Sequence, residues 1–491
     1  MRLLIFSIAC FYMLSFSNGS SDSIPKVRAV SLGGWLVTEG WIKPSLFDGI
    51  PNKDFMDGTQ VQLKSVKLGK YLSTESGGGI VVSNITASDS ATLRLWRIDQ
   101  SNFNFRVFNK KFVGLNGIRV VAEASTPSKT EIFQIHRNPR DQSRVRIKAS
   151  NGYFLQVKTK GLVSADYKEN GGWGDDNPSV FLLNITGKLE GEYQVTNGYG
   201  PLLAPKEHWS TYIVEKDFDF IKKSGLNTVR LPVGWWIAHD PHPPKPFVAG
   251  SVEFVDKAFS WAEKYGIKVI LDLHAAPGSQ NGWEHSGSRD GFQEWGQTYD
   301  TIQQTVDVID FLTARYAKSP SLFGMAVLNE PFAPIVSVQN LTRFYKASYE
   351  VVRKHSSTAY FILANRLGPQ EPRELFGLAK QMTKAVIDVH FYSLFSEIYT
   401  NLTVQQNIDY IYNNRTQHLD YLTVPNGPLI FVGEWTAEML VNATKREYRR
   451  YAKAQQQVYG KTTFGWAFWT LKNVRNRWSL EWLIKHRYIK I

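Results

Sequence analysis

Two hydrophobic periods alternate along this chain, and the change between them divides it. From Val195 onward, short and nearly continuous apolar runs are separated by amphipathic stretches of helical period. The runs are Asn227–Pro232, Lys268–His274, Phe323–Glu330, Ala359–Ala364, Lys384–Tyr392, Pro428–Trp435 and Phe464–Leu471. Unbroken apolar sequence of this length is expected of parallel strands covered on both faces. Tyr212–Ser224, Ser251–Tyr265, Thr301–Tyr316 and Thr444–Val458 are helical stretches between them. An eighth run, Val27–Leu32, lies at the other end of the chain. Eight strands in alternating order predict an α/β fold, a closed (β/α)8 TIM barrel.

The segment from Gly58 to Glu190 has a different pattern, with many glycines, few helical periods and short alternating strands. It repeats. Gly69-Lys70-Tyr71-Leu72, Lys110-Lys111-Phe112-Val113 and Asn151-Gly152-Tyr153-Phe154 place their aromatics 41 residues apart, twice. The strand pieces Leu93–Ile98, Glu131–Ile135 and Ser179–Leu183 close the three units. Units of this size cannot bury a face alone, so three of them predict an all-β trefoil. The repeat resembles the fascin-like trefoil. The domain order is then a first barrel part over 20–57, the inserted trefoil over 58–190, and the rest of the barrel over 191–491. A loop leaving the first strand emerges on the face where barrel active sites lie. The trefoil is therefore expected beside the cleft mouth, as a carbohydrate-binding or shielding attachment or as a purely structural one.

The first 19 residues change the setting. Arg2, an apolar run from Leu3 to Phe16, and small residues at Gly19 and Ser20 have the form of a cleaved secretory signal. The single cysteine, Cys10, lies inside it, which leaves the mature chain without thiol, disulfide or cysteine-ligated metal. Sequons at Asn84, Asn184, Asn340, Asn401, Asn414 and Asn442 fit a secreted, glycosylated protein. No later run is long enough for a membrane span, so no stable membrane association is expected. The net charge of +13 is spread along the chain rather than gathered in a stripe, which argues against a nucleic-acid partner. The oligomeric state is left open. Aromatic content of 13%, with 15 Trp, suits either sugar stacking or a large core.

Two carboxylates stand out by position. Glu330 closes the fourth run in Leu328-Asn329-Glu330-Pro331, and Glu434 closes the seventh in Val432-Gly433-Glu434-Trp435. A carboxylate at the end of a buried strand must be paired or functional, because stripping its water is costly. Strands four and seven face each other across a barrel mouth, and two facing carboxylates are what glycosidic cleavage needs. Either could instead be a structural ion pair. Arg230, His274, His390, Tyr392 and Trp469 fall at the ends of other strands, where a common rim is a better account than separate buried groups. Asp272 and His274 could share a face, but no further histidine stands at ligand spacing, so neither a metal nor an organic cofactor is implied.

Together with Ser31-Leu32-Gly33-Gly34-Trp35, Asn227-Thr228-Val229-Arg230-Leu231-Pro232, Gly465-Trp466-Ala467-Phe468-Trp469 and the long stretch from Asp272 to Gly282, these motifs resemble glycoside hydrolase family 5. The resemblance is to its exo-β-1,3-glucanase-like branch, in the plant form with a fascin-like insertion. It implies a retaining β-glycosidase acting on a carbohydrate, a β-glucoside or β-1,3-glucan. Transglycosylation, removal of a disaccharide, and an idle glycan-binding protein are the alternatives. By the same resemblance Glu330 is the acid/base, Glu434 the nucleophile, and Asn329 a ligand of the sugar 2-hydroxyl. Arg230, His274, His390, Tyr392 and Trp469 complete the shell, and Glu39 binds the terminal glucose. Two positions depart from the fungal pattern: Trp41 replaces a Tyr, and Glu284-His285 replaces Asp-Asn, both where the resemblance places the non-reducing-end pocket. Trp235, Trp236, Trp283 and Trp295 are candidate platforms for the leaving group.

Overall fold

The computed structural model describes residues 26–491 apart from 159–160, 169–171 and 201–205, with the backbone alone at 83 and 84. The signal segment and Cys10 lie outside the described residues, as does the side chain of Asn84. Eight parallel strands close into a barrel: Val27–Ser31, Thr228–Gly234, Lys268–Ala275, Leu322–Ala326, Tyr360–Ala364, Ala385–Phe391, Leu429–Trp435 and Gly465–Phe468. Closure comes from the first strand pairing with both the second and the last, Ser31 opposite Arg230 and Val27 opposite Gly465. Helices pack outside, among them Ser251–Tyr265, Tyr299–Tyr316 and Lys445–Tyr459. The last of these starts at a sequence-legible capping box, in which Thr444 Oγ1 accepts from the Glu447 N–H at 3.3 Å and Glu447 accepts the Thr444 N–H at 2.7 Å.

Continuous apolar strands conceal a period of two. Val30, Val229, Leu231 and Leu271 face the helices, whereas Val27, Ala29, Ile270, Ala326, Ile362, Val386 and Phe431 fill the barrel interior. The inward series then changes character towards the C-terminal end: Ile270 is followed by Asp272 and His274, and Val386 by Asp388 and His390. The interior is apolar at the bottom and ionic at the mouth.

Twelve strands between Gln60 and Gly187 form three units of four, beginning at Gln60, Asn102 and Asp141. They enclose their own core, with Val61, Leu95, Phe103, Phe133, Val145, Ile147 and Phe181 at its centre. The last strand returns antiparallel to the first, Leu183 opposite Leu63, so the domain closes on itself before the chain re-enters the barrel. This domain leaves the barrel after its first strand and lies beside the mouth. Its Arg106 bridges to Asp290 at 2.8 Å and to Glu294 at 2.9 Å, and its Trp96 indole donates to Asp290 at 2.6 Å. Arg289 reaches back to the buried Asp57 at 2.7 Å.

Some strand ends differ from the sequence reading. The fourth strand stops at Ala326 rather than Glu330, because the chain turns out over the mouth, with Glu330 at φ 46° before Pro331. Arg230 is in the interior of its strand rather than at its end, one layer down, where it pairs with Asp272 of the adjacent strand and, across the barrel, with Glu434 of the seventh. Tyr392 and Trp469 each stand one residue beyond their strands.

Candidate active site

A cleft of about 840 Å³ opens at the barrel mouth, and Glu39, His274, Glu330, His390, Tyr392, Glu434 and Trp469 all line it. Arg230 and Asn329, also singled out in sequence, support it from beneath. Arg230 is fully buried and forks between two strands. One guanidinium nitrogen donates to Glu434 at 2.8 Å; the other donates to Asn329 Oδ1 at 2.7 Å and lies 3.2 Å from Asp272. Burial opposes a charge there, but the carboxylates of Asp272, Glu434 and Asp388 outweigh it and hold the guanidinium cationic. Tyr392 donates to the second Glu434 oxygen at 2.6 Å. Glu434 is thus held by a cation on one oxygen and a phenol on the other.

The second carboxylate has a different surrounding. His390 Nδ1 is 2.6 Å from one Glu330 oxygen, and His285 Nε2 is 3.3 Å from the other. Burial alone would push the Glu330 carboxyl up; the charge of His390 and the contacts of both imidazoles outweigh it and hold it well below the ordinary carboxylate range. His390 is raised despite its burial, because Glu434, Asp388 and Glu330 surround it. Its Nδ1 also approaches Glu434 at 3.5 Å. Donor atoms of Glu330, His390 and Glu434 all fall within 4.8 Å of one another. Each is already engaged by hydrogen bonds and the Arg230 cation stands against the set, so it suits proton transfer and charge stabilisation better than a divalent ion. Glu330 itself holds a left-handed backbone, a strained arrangement typical of residues aimed by function.

Glycines make room for the walls. A Cβ on Gly433 would come 2.1 Å from Asp388 Oδ1, which instead accepts the Gly433 N–H at 2.9 Å. One on Gly33 would come 2.7 Å from the Trp469 indole, whose ring stacks on His274 at 5.2 Å and 6°. His274 is itself oriented by Asp272, 2.7 Å from Nδ1. Glu39 accepts from the Trp41 indole at 2.9 Å through one oxygen and leaves the other buried without a partner; burial pushes its carboxyl up to about 8. Asn329 likewise has an unpartnered, buried Nδ2.

Two aspartates of this network carry no role in the sequence reading, although Asp272 is noted there beside His274. Asp272 and Asp388 stand two residues before His274 and His390, and that repeated Asp-x-His spacing in strands was the available signal. His285 stands out in sequence only as part of the Glu284-His285 departure from the fungal pattern; its contact with Glu330 is seen in the structure. The tryptophan platforms divide: Trp283 is 39% exposed at the cleft, Trp235 is half-buried against the core, and Trp236 and Trp295 are core residues with 1% and 0% exposure. Trp295 is fixed by Thr305, which accepts its N–H at 2.9 Å, and by Phe344 edge-on, so it offers no face to a ligand.

Residues 194–475 match the family model "Cellulase (glycosyl hydrolase family 5)", and residues 52–186 match a "Domain of unknown function (DUF7910)". "Probable glucan 1,3-beta-glucosidase A" of Aspergillus niger is 30% identical over 346 residues, which cover 62% of this chain and 78% of that protein. "Glucan 1,3-beta-glucosidase" of Pichia angusta is 30% identical over 355 residues, covering 62% and 79%. Rutinosidase from Aspergillus niger shares the fold at a TM-score of 0.53 and 19% identity, over 60% of this chain and 88% of its own. No helix among the described residues is long and apolar enough to cross a membrane. The barrel, the paired glutamates at its mouth and these relatives agree, and the chain belongs to glycoside hydrolase family 5.

Proposed function

We propose that this glycoside hydrolase is a secreted, retaining, exo-acting β-glucosidase that cleaves β-glucosides or β-1,3-glucans. The observation that carries this reading is the separation of Glu330 and Glu434, whose carboxylate oxygens come within 4.8 Å. Retaining glycosidases keep their carboxyl groups about 5–5.5 Å apart, whereas inverting ones need about 6.5–9.5 Å to admit a water. Glu434 is the nucleophile. Arg230 and Tyr392 hold its oxygens, the first as a charge and the second as a neutral donor, so that one lone pair faces the anomeric carbon. Glu330 supplies the proton to the departing oxygen and then takes one back from water. Asn329 Nδ2 donates to the sugar 2-hydroxyl, and the free oxygen of Glu39 takes a hydroxyl of the terminal glucose. Trp469, backed by His274, gives the ring its platform, and Trp283 and the 79%-exposed Phe395 flank the leaving group.

The relatives named glucan 1,3-beta-glucosidase support the glucan arm of this reading. Secretion rests on the signal-like start, and glycosylation on the sequons. Asn184, Asn401, Asn414 and Asn442 are exposed, whereas the Asn340 amide donates to the Gly296 carbonyl at 2.7 Å. The fascin-like reading of the all-β domain rests on its three four-strand units.

The test is the intact mass of the enzyme after incubation with 2-deoxy-2-fluoro-β-glucosyl fluoride, followed by a peptide map. The expected result is one fluoroglucosyl group on Glu434. A label on another residue would reassign the nucleophile. A folded protein labelled only by the mannosyl or galactosyl analogue would change the sugar, and one labelled by none would remove the retaining mechanism.

A further inference from the structure

His285 touches the carboxylate that must give up a proton, and the contacts around it draw that proton in opposite directions. Its Nε2 lies 3.3 Å from Glu330 Oε2. The same nitrogen lies 3.0 Å from Asn281 Nδ2. The orientation of the Asn281 amide is fixed by two other bonds: its oxygen accepts the Trp283 N–H at 3.1 Å, and its Nδ2 donates to the Glu330 carbonyl at 3.2 Å. An amide N–H pointing at Nε2 requires a lone pair there, so a proton held between the two groups would rest on the Glu330 side. The surrounding charges ask for the reverse. Glu330, Glu39 from the loop after the first strand and Glu284 on its own turn all favour a protonated imidazole. Burial and His274, whose ring lies 5.3 Å away, oppose it. The balance pushes His285 up to about 9.

We infer that Glu330 and His285 hold one proton between Oε2 and Nε2, and that this shared proton, rather than one owned by the carboxyl alone, is delivered to the leaving group. This rests on the acid/base role proposed for Glu330. As the bond from the anomeric carbon to the glycosidic oxygen breaks, its electron pair goes to that oxygen, which takes the proton from the pair while Glu434 bonds to the carbon. When water later attacks the glycosyl group, its proton returns to the same pair and Glu434 leaves with its electrons. His390 cannot substitute. It faces Asp388 and Glu434 as well as Glu330, so its charge balances carboxylates, one of which must stay ionised to act. His285 is therefore a positioning residue for the proton, and the titration that governs its delivery belongs to the pair rather than to either group.

The experiment measures kcat/KM against pH for the wild type, His285→Asn and His285→Gln, with two β-glucosides. One has an alkyl leaving group that needs a proton, and the other a 2,4-dinitrophenyl group that does not. With the alkyl glucoside, the alkaline limb of both variants is expected to move to lower pH by about one unit or more, a tenfold loss on that side. The dinitrophenyl profile should stay in place, which also reports an intact fold. An alkaline limb that moved upward would show His285 to be only a charge that depresses Glu330. An unmoved limb would remove it from the chemistry. A readout free of any sugar accompanies these rates: 13C-labelled histidine NMR of the wild type and of Glu330→Gln. The His285 titration should fall towards the ordinary imidazole range when the carboxylate is removed, and an unchanged titration overturns the pair. Failure of the wild type on both glucosides would instead sink the glucosidase reading, with the NMR still deciding the pair.

Discussion

Glu39 is the residue at which the fold itself should respond to pH. Its carboxyl is buried in the cleft wall and pushed up to about 8, mainly by loss of water. An unfolded glutamate titrates near 4.3, so the native state binds this proton more tightly. The group's contribution to stability is then complete below about pH 4 and is lost as pH rises through the folded value. Glu192, pushed up to about 7, and Asp57, also raised by burial, act in the same sense. Replacing Glu39 by Gln keeps the shape and removes the titration. The melting temperature of Glu39→Gln should therefore fall less than that of the wild type between about pH 5 and pH 8. A fall as large in both proteins would mean that Glu39 is ionised in the fold. The two glutamates at the mouth, by contrast, were legible from the sequence alone, because a charge closing an apolar run is expensive unless it is used. His285 was legible only as a departure from the fungal pattern, since nothing in the sequence says which imidazole will come to rest against Glu330.

At the scale of elements, the eight strands were readable because burial on both faces gives an apolar string with few alternative readings. The same property hid which residues point inward. Arg230 reads as a strand-end residue but is buried one layer down, and the inward aim of Asp272 and Asp388 is visible only once the period of two is counted from Ile270 and Val386. Tryptophan is ambiguous for the same reason: Trp283 and Trp295 look alike in sequence, and only packing sends one to the cleft and the other to the core. Strand seven depends on one small residue. Gly433 lets the backbone approach Asp388, and an added methyl would collide with both carboxylate oxygens, at 2.1 and 2.4 Å. Overpacking of this kind commonly costs about 1–3 kcal/mol, and here it also breaks the N–H bond that orients Asp388 behind His390. Gly433→Ala should lower the melting temperature and reduce turnover together. A variant as stable and as active as the wild type would show that the strand can shift without disturbing the mouth.

At the scale of the whole molecule, the repeat announced a separate all-β domain, but not what it touches. Its contact with the barrel is made by pairs nearly two hundred positions apart, Arg106 with Asp290 and Trp96 with Asp290, which no local pattern can reveal. The consequence lies in where those partners are. Asp290 and Glu294 belong to the same loop as Trp283, Glu284 and His285, all of which line the cleft. Arg94 adds a bond to the Asp290 carbonyl at 2.6 Å, and its guanidinium lies 4.4 Å from the Phe292 ring. Arg289 stacks 3.7 Å from Trp96. The domain thus grips one wall of the active site, and cutting that grip should be felt in the chemistry. Arg106→Ala removes one partner of a nearly buried ion pair, a change that costs about 3–5 kcal/mol where the remaining charge is left unpaired. Asp290 keeps its Trp96 bond, which places this variant at the low end. The expected outcome is a lower melting temperature and a fall in kcat/KM of about ten- to a hundredfold for a small aryl β-glucoside, the scale of a displaced active-site wall. Trp96→Phe, which removes a single N–H and keeps a ring for Arg289, should show a smaller loss of the same kind. If both variants bound long glucans more weakly yet hydrolysed the aryl glucoside at the wild-type rate, the domain would be a sugar-binding attachment and not a support for the loop.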